Sequence, residues 1–162
     1  MGKTTSFNYL AITLIVIGII FLLENLGFIS GAWIFWPLLP LIIGAGFCLL
    51  YLRKRKDIFL LGTGCFITLN SIFFFYLNFT SWASLAFLWP VFIMILGVTF
   101  IFCFVASRSR VLMYLATILI AIGASFIIIF VVSTRLWPIS LIFAGISFII
   151  IDFFNRRGQR AR

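Results

Sequence analysis

Apolar residues run in blocks of roughly 18 to 23, the length that crosses a hydrocarbon layer about 30 Å thick. The blocks predict six membrane-spanning helices, over residues 10–29, 32–52, 58–77, 85–106, 111–132 and 136–154. Polar and apolar positions do not alternate, which excludes the strands of a transmembrane barrel. The first block is the least uniform, with Glu24 and Asn25 near its far end. Lys3 followed by an apolar run also reads as a signal peptide, with Ser30-Gly31-Ala32 as the cleavage site. Its removal would leave the helix after it unpaired, so the spanning reading is preferred. The fold class is all-α: a polytopic membrane protein of six helices in one membrane domain.

Short polar connections between the blocks set the orientation. Lys3, the run Arg53-Lys54-Arg55-Lys56, Arg108, Arg110, Arg156, Arg157, Arg160 and Arg162 fall on one side, eleven of the twelve basic residues. The other side holds residues 78–84 without a charge, and Arg135 as its single base. The positive-inside rule makes the basic side cytoplasmic and places both termini there, with residues 156–162 as a basic tail. The five tryptophans, at 33, 36, 82, 89 and 137, then form a belt at the outer interface.

Composition agrees. The 162 residues are 65% hydrophobic and 9% charged, with a mean hydropathy of +1.32. A soluble domain of this length needs more polar surface than three acidic and twelve basic residues supply. The net charge of +9 is dispersed among the connections instead of forming one face, so nucleic acid is not the expected partner. Anionic lipid headgroups at the basic inner loops are. Cys48, Cys65 and Cys103 are isolated within apolar segments and are expected to be inert free thiols. With no histidine, no metal or other cofactor is indicated.

A repeat runs through the blocks. Trp36-Pro37, Trp89-Pro90 and Trp137-Pro138 are each followed, eight residues after the tryptophan, by a glycine: Gly44, Gly97 and Gly145. Chance would give on the order of 0.1 Trp-Pro dipeptides here, so duplication is the explanation. The copies are 53 and 48 residues apart, the size of a two-helix unit. Three tandem hairpins follow, over 8–56, 57–110 and 111–155, joined by inner loops. Within each, tryptophan is an interfacial anchor, proline occupies a first helical turn, and glycine permits close helix approach. Gly18, Gly64 and Gly123 mark a weaker echo in the helix before each motif, at 18, 25 and 14 residues from the tryptophan. Small residues at Gly44/Gly46, Gly62/Gly64, Ala121/Ser125 and Ala144/Ser147 suit tight contacts or homo-oligomers.

The first unit reads Ala11-Ile-Thr-Leu-Ile-Val-Ile-Gly-Ile-Ile-Phe-Leu-Leu-Glu-Asn-Leu-Gly, then Phe35-Trp-Pro-Leu-Leu-Pro-Leu-Ile-Ile-Gly. It resembles the LiaI–LiaF-like transmembrane region of bacterial envelope proteins at Gly18, Glu24, Asn25, Leu26, Gly27, Trp36, Pro37 and Gly44. The later units keep the Trp-Pro…Gly half and lack the acidic-Asn-Leu-Gly turn. The resemblance implies a Gram-positive cytoplasmic-membrane protein concerned with envelope stress, its partner a membrane sensor kinase or another envelope protein. Regulation in that family is associated with an extramembrane domain. This chain reaches Arg162 eight residues after the last expected span, so a transmembrane module without that domain is expected.

Ionisable and polar groups within spans are the default functional candidates. Glu24 and Arg135 are read either as an ion pair across the outer face or as two groups reaching headgroups. Asp152 lies four residues before Arg156, the spacing of a local ion pair, with a proton or ion site as the alternative. Asn70 is expected to clamp two helices, the alternative being a substrate site. Asn78-Phe79-Thr80 matches a glycosylation sequon, without relevance in a bacterial setting. No acid, base and nucleophile constellation is present, so a non-enzymatic protein acting by interaction is expected. A small transporter or channel subunit is the alternative.

Overall fold

The computed structural model describes residues 11, 15–16, 18–27, 31–54 and 57–159. The described residues are helical and contain no strand. The first helix, α1, is continuous over residues 18–25, with helical positions at 11, 15 and 16. It is followed by α2 (Leu38–Lys54), α3 (Ile58–Phe79), the single turn α4 (Leu85–Leu88), α5 (Val91–Ser107), α6 (Arg110–Ile127) and α7 (Ile139–Gln159). Parts of the expected span 10–29, together with Lys3, Arg55, Lys56, Arg160 and Arg162, lie outside the described residues.

Among the described residues, four helices are long and apolar enough to cross a membrane: Trp33–Arg53, Ile58–Phe79, Arg110–Val132 and Thr134–Arg156. The bent pair Trp82–Leu88 and Val91–Ser107 makes a fifth when counted as one span.

Each Trp-Pro sits where a short turn enters a long helix. The 3-10 turns Ala32–Phe35, Trp82–Ser84 and Thr134–Leu136 precede the three motifs. Proline cannot donate to such a turn, and its fixed φ suits a helix start. The long helices accordingly begin one residue after Pro37, Pro90 and Pro138. At the second motif the chain bends by 69° between Trp82–Leu88 and Val91–Ser107. The expected spans 32–52 and 136–154 correspond to the helices Trp33–Arg53 and Thr134–Arg156, whereas the expected span 85–106 is corrected: it is broken by the bend at Trp89-Pro90.

The closest packing joins α2 to α3 and α5 to α6, across the short turns at the ends carrying Arg53 and Arg108. The contacts of α3 with α5 and of α6 with α7 are looser. Among the described residues the principal contacts thus follow a row from α2 through α3, α5 and α6 to α7, and the tight pairs span the connections expected merely to link hairpins. Between α5 and α6 the turn is only Arg108-Ser109, with Arg108 in the left-handed region at φ 56°. Its N–H closes the helix on the Phe104 carbonyl at 2.7 Å. So short a reversal holds the two helices side by side along their length. At its other end, α6 runs into a π-turn at Ile128–Val132.

Candidate functional site

Glycine makes the two tight crossings possible. A methyl group added at Gly44 would lie 2.6 Å from the Thr68 hydroxyl and 2.8 Å from the Thr68 backbone nitrogen. One added at Gly64 would lie 2.7 Å from the Cys48 sulfur and 2.9 Å from the Gly44 carbonyl oxygen. In the second pair, a methyl at Gly97 would meet Ile120 at 2.7 Å, and one at Gly123 would meet Met94 at 2.5 Å. In lipid, helices gain little by hiding apolar surface from one another, so backbone approach and dispersion must supply the attraction.

The crossings also correct the alignment of the repeat. Gly44 faces Gly64 and Thr68, whereas Gly97 faces Ala116 and Ile120. Ala116 therefore occupies the place of Gly64, and Gly123, seven residues on, that of the wholly buried Ser71. The helix opposite each Trp-Pro thus has two small residues seven apart and a phenylalanine three further on: Gly64, Ser71 and Phe74 in α3, and Ala116, Gly123 and Phe126 in α6. The phenylalanines confirm the register. Trp36 packs on Phe74 with ring centroids 5.1 Å apart and planes inclined by 41°, and Trp89 packs on Phe126 at 5.5 Å and 41°. With Ser71 in place of Gly64, the gaps to the next tryptophan become 18, 18 and 14 residues.

The third motif stands apart. Pro37 and Pro90 are fully buried, yet Pro138 is exposed. Nothing lies within 4 Å of a methyl placed on Gly145. Trp137 is 60% exposed and forms no ring contact among the described residues. The expected packing role holds at Gly44 and Gly97; at Gly145 the notch is open.

At the tryptophan end, residues from three elements meet. Asn78 donates from Nδ2 to the Ile34 carbonyl at 2.7 Å, and its Oδ1 accepts from the Trp82 indole N–H at 2.9 Å. Trp82 in turn stacks on Phe74 and Trp36 at 6.0 and 6.4 Å. Asn78, read only as part of a sequon, is thus the side chain that ties α3 to the turn before Trp36. A polar residue at the end of an apolar block, one helical turn before a tryptophan, was the available signal.

Asn70 does not clamp two helices. It is buried and donates to Phe66, one turn back in α3, at 2.8 Å. Ser71, Thr99, Thr117, Ser125 and Ser147 likewise return their protons to their own helices. A side chain that bonds a carbonyl four residues back satisfies itself without a partner. Glu24 has a buried carboxylate oxygen with no hydrogen-bond partner among the described residues, and Arg135 is exposed. No ion pair joins them. Asp152 pairs with Arg156 at 2.7 Å, both side chains mostly exposed, as the spacing indicated.

The cysteines are free thiols, but not all are isolated. Cys48 of α2 and Cys65 of α3 lie with sulfurs 3.9 Å apart beside the Gly44–Gly64 crossing. The 17-residue separation concealed this, because only the register of the pair brings them together. Between α6 and α7 the looser contact leaves an apolar groove of about 490 Å³, lined on α7 by Ser140, Ala144 and Ser147.

The sequence profile described as the LiaF transmembrane domain matches residues 9–103. No curated protein and no solved structure matches the chain. The profile spans α1 to most of α5, and the α5–α6 crossing repeats the α2–α3 geometry beyond it. With its Trp-Pro helices and their glycine crossings, the chain belongs to the LiaF transmembrane domain family.

Proposed function

We propose that this protein is a non-enzymatic integral protein of the bacterial cytoplasmic membrane that acts by binding other membrane proteins, in envelope-stress response or as a membrane scaffold. Family membership over residues 9–103 carries the reading. In the proposed topology six spans form three two-helix units, with both termini and the basic loops in the cytoplasm against anionic headgroups. The partner is a membrane sensor kinase or another envelope protein.

The hydrogen bonding of the helices favours interaction over the alternative, a small transporter or channel subunit. A carrier normally has broken helices and polar groups presented to a central path. Here Asn70, Ser71, Thr99, Ser125 and Ser147 satisfy their own helices, and the groove between α6 and α7 is mainly apolar.

In-membrane crosslinking in the native host, followed by affinity capture, tests the proposal. The expected product is a complex with a sensor kinase or another envelope membrane protein. Capture of no partner counts against it. Solute flux into proteoliposomes that disappears in Asn70→Ala or Glu24→Gln would replace it with transport.

A further inference from the structure

Two helices each carry half of the crossing, unfilled. In α7, Trp137, Pro138 and Gly145 repeat the elements that α2 and α5 press against a neighbour, yet Pro138 is exposed and Gly145 is open. Leu141, Ile142 and Ile149 on the same side are exposed, while the face with Ser140, Ala144 and Ser147 is turned toward α6. In α1, Ala11, Gly18 and Phe21 reproduce the spacing of Gly64, Ser71 and Phe74 and of Ala116, Gly123 and Phe126. Nothing lies within 4 Å of a methyl placed on Gly18. One end of the row thus displays the glycine face of a Trp-Pro helix, and α1 carries, at Ala11, Gly18 and Phe21, the spacing of the residues that cover such a helix in both filled crossings.

We infer that these halves meet between copies: α1 of a second copy docks on α7, with its Ala11 against Gly145, its Gly18 against Pro138 and Ile142, and its Phe21 against Trp137. The filled crossings supply the occupant. In each, the same helix type brings one small residue, Gly64 or Ala116, to the glycine and a phenylalanine to the tryptophan, at 5.1 and 5.5 Å. In the second, the further small residue Gly123 meets Met94 and Pro90. The contact joins unlike surfaces, so it is head-to-tail and leaves a free half at each end of a pair, giving rings or chains of copies. It goes beyond the partner reading above: copies that stay separate yet retain an envelope partner would sink this inference alone.

The test uses the full chain carrying a donor or acceptor fluorophore on a C-terminal tag, reconstituted in dilute lipid vesicles. Wild-type copies should show energy transfer above the random level. Gly18→Leu and Gly145→Leu should each lower self-association by about tenfold, because leucine fills a notch that needs close backbone approach. Neither position has a neighbour within 4 Å, so both variants should fold, with unchanged helix content by circular dichroism. Mixing donor-labelled Gly18→Leu with acceptor-labelled Gly145→Leu should restore transfer, since the intact α1 of the latter meets the intact α7 of the former. Those assemblies should stop at pairs. Gly46→Leu, also in open space, should behave as wild type. The inference is overturned by absent transfer in the wild type, by a silent Gly18→Leu, by an unrestored mixture, or by equal loss in Gly46→Leu.

Discussion

Asn78 reaches from the end of α3 to the Ile34 carbonyl, 44 residues earlier in the chain, and accepts the Trp82 indole proton with its other side-chain atom. Both of its functional atoms are used to hold three elements together at the tryptophan end. Replacing Asn78 by Ala removes both bonds and leaves the Ile34 carbonyl without that donor. Polar contacts between membrane helices average about 0.6 kcal/mol and reach about 1.7, so a loss of roughly 1 kcal/mol is expected. SDS titration in mixed micelles, read by circular dichroism, would measure it. Asn70→Ala should cost less, because Asn70 bonds only within its own helix. The opposite order would show that the link to Ile34 does not stabilise the fold.

Gly44 and Gly46 are two residues apart in α2 and differ in what they face. A methyl at Gly44 would press on Thr68, including its backbone nitrogen at 2.8 Å, whereas one at Gly46 would meet nothing within 4 Å. Gly44→Ala must therefore push α3 away and is expected to cost about 1–3 kcal/mol, the usual range for overpacking. Gly46→Ala should be neutral or mildly stabilising, as alanine is the better helix former by about 1 kcal/mol. Equal behaviour of the two variants in the same titration would contradict the crossing at Gly44.

Membrane character and the helix starts were legible because both rest on local rules. Long apolar blocks need intrahelical hydrogen bonds in lipid, and proline is tolerated in the first helical turn. The glycine of the repeat was legible as a notch, but not what fills it. Gly64 stands out in the sequence as a glycine, yet its counterpart is Ala116, and that of Gly123 is Ser71. Close approach asks only for a small residue, so residue identity misled where register would not. Asn70 is ambiguous in the sequence for a related reason. A polar residue deep in an apolar block can bond across to another helix or back to its own carbonyls, and spacing does not separate the two. The bend of 69° at Trp89-Pro90 was equally hidden, because the apolar run continues through it.

Asp152 and Arg156 form their ion pair within one exposed turn of α7. Exposed pairs at this spacing contribute about 0.3–0.5 kcal/mol, and salt screens them. Asp152→Asn is expected to change stability by less than about 0.5 kcal/mol, shrinking further at high salt. Partner capture should be unchanged. A loss of capture with the fold intact would instead make Asp152 part of a binding surface.

Cys48 and Cys65 offer a direct measure of the α2–α3 register. Their sulfurs are 3.9 Å apart, so a small adjustment of the side chains brings them to bonding distance. Oxygen with copper phenanthroline, added to isolated membranes, should oxidise the two thiols to an internal disulfide, the protons and electrons passing to oxygen. Mass spectrometry after alkylation without reductant should show a Cys48–Cys65 link and an alkylated Cys103. Cys48→Ala should abolish the link and leave Cys65 free. Moving one partner by two residues, as in Cys48→Ala with Leu50→Cys, should also abolish it, because Leu50 lies on an exposed face of α2. A Cys65–Cys103 link in its place would mean that α3 meets α5 more closely than α2, contradicting the α2–α3 crossing at Gly44 and Gly64.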